Sequence, residues 1–308
     1  MLPSVIGTGG PNGIVLPRLI SPRRVIGSRT FDFDRQVAVM AIVNRTPDSF
    51  HDQGRTFALD QAVAAVNMAV ADGADWVDIG GVPFGTHGPD VSEAEELDRV
   101  IPVVRAARAA SDVVISVDTY RAEVARHAID AGADVVNDTS GLQDPDLPPV
   151  LARSDATLVI THSLASPPRT KVTRPSYGDV AAEVTAFLAR RVEFALERGV
   201  PAERIVIDPG HDLNKNTFHS LELTRRLTEI TGLGYPTLVA LSNKDFIGET
   251  LDRPQDERLE GSLAATVACV LMGARIVRVH DVPATVAAVR MLEAILGWRV
   301  PLSPRHNL

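Results

Sequence analysis

Asn44, Asp118, Asn137, His162, Asp208, Lys244, Arg278 and His280 each stand at the end of a short apolar run or within a few residues of it. The runs read VAVMAIVN, VVISVDT, VVNDTSG, TLVITHS, IVIDPG, TLVALSN and RIVRVHDV, and a further one, WVDIGG, ends in two glycines. Carboxylates and an amide gathered on one rim can take up the donors of a polar ligand, and cations beside them can take up anionic charge. Arg278 and His280 are alternate residues of one run, so as strand residues they point the same way. The single cysteine, Cys269, lies in the apolar stretch LAATVACVLMGA, which makes it a packing residue rather than a nucleophile and excludes internal disulfides.

Runs of Val and Ile without alternation are what strands buried on both faces look like, and helical stretches separate them. Eight such units imply an α/β fold, a single (β/α)8 TIM barrel with an N-terminal extension. In such barrels the carboxyl ends of the strands share one rim, where ligands bind. The chain divides into an extension over 1–35, a barrel over 36–299 and a tail over 300–308. The Gly-, Pro- and Arg-rich extension is expected to cover the bottom or edge of the barrel. The segments ADGADWVDIGG, DAGADVVNDTSG and LMGARIVRVHDV repeat a Gly-Ala step before a strand, as helix-capping glycines would.

Helix signals fill the gaps: Leu59, Val63, Val66 and Val70 before Gly73, a Ser92/Glu95 capping box, then 121–131, 180–198, 220–231, 259–272 and 286–296. Residues 164–179 hold three prolines and no period, and read as a long loop on the ligand face. The 308 residues are 45% hydrophobic with a formal net charge of -8, which suits one domain and argues against a general nucleic-acid surface. No apolar run approaches the roughly 18 residues of a membrane span, so the expected address is cytoplasmic.

Taken together, the strand-end motifs resemble dihydropteroate synthase, which joins a pterin pyrophosphate to p-aminobenzoate. TPDSF after Asn44, SVDT, NDTSG, IDPG, SNKDFIG, GSLAA and RVHDV occur in the family's order between about Val37 and Leu296. A pterin presents alternating donors and acceptors, so its pocket needs a buried carboxylate and an amide able to serve both. The resemblance assigns that task to Asp118, Asn137 and Asp208, with Lys244 as a donor. The alternative is that Asp118 and Asn137 only cap the helices that follow.

The resemblance also gives Asn44, Arg278 and His280 the departing pyrophosphate, with Asn44 helping to hold Mg²⁺ and with Lys244 completing the catalytic set. A salt bridge to Asp281 or another rim carboxylate is the alternative for Arg278. The implied reaction is ionisation followed by arylamine attack, which needs no nucleophile. His162 would line the pocket or simply be a buried, hydrogen-bonded histidine. Asp48 and Asp52 belong to a segment, 46–56, that looks like the family's first mobile loop, and exposed turn acids are the alternative.

The departures cluster around the second substrate. Where the family has a Ser-Thr-Arg-Pro-Gly loop the chain reads VPFGTHGPD, with Thr86 and His87 as partial stand-ins for the missing arginine. Asp245 follows Lys244, Asn243 precedes it, and HDLNKNT (211–217) replaces a Gly-rich stretch containing Phe. Unless Asp245 points away, it would repel a substrate carboxylate within about 4 Å by roughly 4 kcal/mol at a protein surface. The pattern resembles the divergent second synthase paralogue of mycobacteria. Three readings follow: a dihydropteroate synthase-type transferase of folate biosynthesis, a pterin-binding paralogue that is inactive or takes another arylamine acceptor, and a methyltetrahydrofolate-binding methyltransferase domain. The resemblance further implies a homodimer.

Overall fold

The eight Val- and Ile-rich runs are the eight parallel strands of a closed barrel. The computed structural model describes residues 16–44, 55–82, 91–165, 172 and 174–306, with the side chains of 44 and 55–58 outside that description. The barrel strands are β3 (Ala38–Asn44), β4 (Trp76–Gly80), β5 (Val114–Asp118), β6 (Val135–Asp138), β7 (Thr157–Thr161), β8 (Ile205–Asp208), β9 (Thr237–Val239) and β10 (Ala274–Val279). They pair in chain order, and β10 closes on both β9 and β3. Two earlier strands, β1 (Arg23–Ile26) and β2 (Arg29–Asp32), form an antiparallel hairpin.

Helices follow the strands: α1 (Arg55–Ala71), α2 (Glu93–Ala110), α3 (Ala122–Asp130), α4 (Leu147–Ala152), α5 (Val180–Glu197), α6 (Thr217–Arg225), α7 (Leu227–Thr231), α8 (Asp245–Leu251), α9 (Leu259–Leu271) and α10 (Val282–Ile295). The Ser92/Glu95 capping box is present at the start of α2, each side chain accepting the other residue's backbone N–H. Gly132 and Gly273, at φ 109° and 107°, supply the left-handed turn before their strands. The expected single helix over 220–231 is instead two, α6 and α7, broken at Arg226. That side chain bonds Asp179, Glu222 and Glu229. Short α4 and α8 were not anticipated.

Each strand's two faces have separate jobs. Val77, Ile79, Ile115, Val117, Val136 and Ile160 join the apolar layer against the helices. The alternate residues Met40, Trp76, Val114, Val135, Val159, Val206, Leu238 and Ile276 fill the lower interior, together with Ile26, Phe31 and Phe33 from the hairpin region. Phe31 stacks on Phe33 at 5.6 Å and meets Trp76 edge-on at 5.8 Å, and Arg24 Nη1 donates to the Ile205 carbonyl at 2.6 Å. The hairpin is therefore packed into the base of the barrel, and the interior is free for polar groups only toward the carboxyl ends.

Candidate active site

Two residues above that apolar layer, the inward positions turn polar: Trp76 gives way to Asp78, Val114 to Ser116 and then Asp118, Val135 to Asn137, Val206 to Asp208, and Ile276 to Arg278. Asp78, which sequence reasoning passed over, is the hub. Fully buried, it accepts Ser116 Oγ at 2.6 Å, Arg278 Nε at 2.7 Å and Asn137 Nδ2 at 3.1 Å. A carboxylate inside a buried strand is tolerable only with such partners, so the Asp within WVDIGG was itself a signal.

Above the hub lies a cavity of about 380 Å³ lined by Asp118, Asn137, Asp208, Lys244, Arg278 and His280. Asp118 receives Thr139 Oγ1 at 3.4 Å and sits 3.5 Å from Arg278 Nη2. Arg278 thus pairs with interior carboxylates rather than with Asp281, whose side chain caps α10 by accepting Ala284 N–H at 3.0 Å. Burial disfavours the Arg278 charge, but Asp78 and Asp118 outweigh it and raise its pKa. Asn137 spends one amide N–H on Asp78, and its Oδ1 is buried without a partner among the described residues.

One Asp208 oxygen accepts Gly210 N–H at 2.7 Å. Burial raises its pKa from 3.8 to about 6 despite that bond and the nearby Lys244, Lys215 and Arg278 charges. The Lys244 ammonium makes no hydrogen bond among the described residues, and burial lowers its pKa against the pull of Asp212, Asp208 and Asp245. His280 is exposed at the rim, with its pKa lowered first by desolvation and then by Arg278 and Lys244. Its Nδ1 lies 3.1 Å from Ser242 Oγ, which also accepts His280 N–H at 3.3 Å. With the hydroxyl proton assigned to Nδ1, the imidazole proton stands on Nε2. The cavity offers acceptors on Asn137 and Asp208 and donors on Lys244 and His280, which is the complement of a polar heteroaromatic edge.

Asn44 ends β3 in register with Gly80, and its side chain lies outside the described residues, as do Asp48, Asp52, Thr86 and His87. His162 is the bland case: it is 1% exposed and lines neither this cavity nor its neighbour. Its Nδ1 receives Lys215 Nζ at 2.9 Å, and burial lowers its pKa to about 2, keeping it neutral. Lys215, also missed, donates to the Gly210 and Leu213 carbonyls at 2.8 and 3.1 Å as well. Burial pulls its pKa to about 7, yet three acceptors for three N–H donors argue for the ammonium form. Lys215 thereby clamps the turn after β8 to the end of β7.

A second chamber of about 560 Å³ adjoins the first and shares Lys244, Arg278 and His280 with it. Asp245, expected to repel a substrate carboxylate, is 84% exposed and ion-paired with Arg258 at 3.1 Å. Asp212 and Asn214, in the stretch expected to be stiffened by loss of glycines, take positive φ of 62° and 54°, which short Asx side chains tolerate. Asp212 accepts Ser220 Oγ at 2.8 Å and Phe246 N–H at 3.2 Å.

The family model described as pterin binding enzyme matches residues 40–280, from within β3 to the rim histidine. The chain belongs to the pterin-binding enzyme family. Among its relatives, the protein named inactive dihydropteroate synthase 2 from Mycobacterium leprae is 48% identical over 273 residues, 87% of this chain and 93% of that one. Dihydropteroate synthase from Synechocystis sp. is 40% identical over 280 residues, 90% and 96% of the two chains. The solved dihydropteroate synthase of Xanthomonas albilineans with 4-aminobenzoic acid superposes with a TM-score of 0.83 at 38% identity, covering 91% of this chain and all of that one. Its complex with 7,8-dihydropteroate gives 0.78 at 36% identity over the same shares. This member of the pterin-binding family thus shares the barrel of the solved synthases and is 48% identical to a mycobacterial relative named inactive.

Proposed function

We propose that the protein is a dihydropteroate synthase-type transferase of folate biosynthesis, which binds a dihydropterin methyl pyrophosphate in the inner cavity and an arylamine in the outer chamber. The observation that carries the reading is the meeting of Asp118, Asn137, Asp208, Lys244 and Arg278 around one cavity, sized and polarised for a bicyclic heteroaromatic. In this reading Asp118, Asn137 and Asp208 accept the donors of the pterin edge, and Lys244 donates to a ring carbonyl or nitrogen. Arg278 and the His280 Nε2–H stand where pyrophosphate departs, and Asn44 joins them from the end of β3. The carbon–oxygen bond to pyrophosphate breaks, the ring stabilises the cationic methylene, and the amine lone pair closes on it with loss of a proton. Orientation and charge placement suffice for this route.

Among the described residues no group of three His, Cys, Asp or Glu side chains could hold a metal ion, and Asp78 is taken up by Arg278, Ser116 and Asn137. Mg²⁺ would then enter with the pyrophosphate and be held by Asn44, with Asp48 and Asp52 of the 46–56 segment available to order it. When bound it would neutralise leaving-group charge. A cytoplasmic homodimer is part of the same reading. No described helix is long and apolar enough to cross a membrane, and Met291 and Ile295 of α10 are each 62% exposed.

The 48% identity to relatives named inactive favours a second reading, in which pterin binding is kept and condensation is lost. Pyrophosphate release, measured with and without p-aminobenzoate, separates the two. Release that depends on the arylamine supports the transferase; pterin affinity without it supports the binding paralogue. Calorimetric pterin affinity unchanged in both Asp118→Ala and Lys244→Ala would remove the pterin assignment altogether.

A further inference from the structure

We infer that Arg174 is the specificity-determining residue of the outer chamber, holding the negative charge of an aryl carboxylate as the second ligand. The inference rests on the transferase or pterin-binding reading only in taking the outer chamber as the second ligand's place. It starts from the charges that face the chamber. Asp245 is compensated by Arg258, which Asn243 O holds at 2.9 Å. Asp212 is turned into the protein, where it takes up Ser220 Oγ and the Phe246 N–H at the start of α8, so that amide is already satisfied from within the chain. Arg278 is paired with Asp78 and Asp118, and Lys244 faces Asp208 and Asp212.

Lys215 is held by His162 and two carbonyls, so among the described cations lining the chamber Arg174 is the one with no carboxylate or acceptor assigned to it. Arg174 is exposed and makes no hydrogen bond or ion pair among the described residues. Three residues after it, the chain is anchored by Asn214. Asn214 Oδ1 accepts Ser163 Oγ at 3.0 Å and Leu164 N–H at 2.9 Å, while the Asn214 carbonyl accepts Tyr177 Oη at 3.0 Å. The Tyr177 ring is wedged edge-on against His219 at 4.9 Å. Chain leaving β7 and chain approaching α5 are thus both tied to the turn after β8, and Arg174 lies three residues before the tether. The left-handed Asn214, standing in the stretch where the sequence departs from its family, is what makes this attachment. A planar guanidinium with free N–H donors binds a carboxylate through two parallel bonds, which a neutral aryl amide cannot match.

The test is a pair of titrations, p-aminobenzoate and 4-aminobenzamide, on the full-length protein, alone and with 6-hydroxymethylpterin filling the inner cavity. The expected result is at least a tenfold preference for the carboxylate, falling to within twofold in Arg174→Ala and partly kept in Arg174→Lys. Pterin affinity and Tm should stay the same, because the side chain touches nothing else described. Equal binding of the two probes, no measurable binding of p-aminobenzoate, or a preference that survives Arg174→Ala overturns the inference. A separate pterin titration keeps the two readings distinct. Loss of pterin binding with an Arg174-dependent preference sinks only the pterin assignment, whereas normal pterin binding without the preference sinks only Arg174.

Discussion

Asp78 Oδ2 accepts the Nε–H of Arg278 at 2.7 Å, joining β4 to β10 across the inside of the barrel two positions above the apolar floor. The same carboxylate holds Asn137 and Ser116, so one buried charge orients a cation and an amide that face the ligand. Asp78→Asn keeps the shape but removes the charge that compensates Arg278. Breaking a buried pair from one side typically costs about 3–5 kcal/mol. The expected outcome is a lowered Tm and at least a tenfold weaker affinity for pterin pyrophosphate, read by thermal melts and calorimetry. Arg278→Met in the same background should recover part of the Tm and none of the affinity. Full pyrophosphate affinity in Asp78→Asn would mean that Arg278 finds its orientation elsewhere.

Asp208 predicts opposite effects on stability and binding. Its folded pKa of about 6 lies above the usual 3.8, so the native state holds the proton more tightly than the unfolded chain does. The group's contribution to stability is therefore complete below about pH 4 and is lost as pH rises through 6, on the order of 3 kcal/mol for a difference of that size. Asp208→Asn should raise Tm at pH 7.5 and leave it nearly unchanged at pH 4. A ligand that donates to the carboxylate favours its ionised form, so pterin affinity should fall by up to tenfold per pH unit below 6 and release a proton on binding there. Calorimetry in buffers of different ionisation enthalpy measures that proton, and its absence would place another group against the pterin edge.

The strand ends were legible because a parallel barrel buries both faces of each strand, which writes Val- and Ile-rich runs that stop at a polar residue. Asp118, Asn137, Asp208 and Arg278 could be picked out for that reason. Asp78 sits inside its run, and finding it needed the period of two within the barrel to be followed downward from Gly80. Lys215 and Asn214 owe their roles to His162, Ser163 and Tyr177, 53, 51 and 37 residues away, and no local pattern announces such meetings. The break at Arg226 is of the same kind, since its partner Asp179 lies 47 residues earlier. Whether Asp245 points away is not legible locally, because its partner, Arg258, is 13 residues further on, beyond one helix.

That pairing depends on a glycine. A Cβ on Gly248 would overlap the Arg258 guanidinium, so Gly248→Ala must displace the group that pairs with Asp245. The rim then carries an uncompensated carboxylate beside the outer chamber. We expect p-aminobenzoate affinity to fall several-fold in Gly248→Ala and to recover in Gly248→Ala/Asp245→Ser, with pterin affinity steady throughout. An affinity unchanged by Gly248→Ala would show that Asp245 does not reach the second ligand whether or not it is paired.

The base of the barrel can be separated from its mouth. Phe31 is 2% exposed, stacked on Phe33 and set edge-on to Trp76, so Phe31→Ala opens a cavity inside a closed barrel whose walls cannot collapse into it. Truncations of this kind typically cost about 3–5 kcal/mol, and a rigid surround favours the upper end. The polar layer begins two residues above Trp76 and is held by its own hydrogen bonds, so the loss should register in denaturant midpoint and Tm while pterin affinity, measured well below the melting transition, changes less than twofold. A large loss of affinity in the folded variant would mean that the aromatic floor sets the height of Asp78 and, through it, the aim of Arg278.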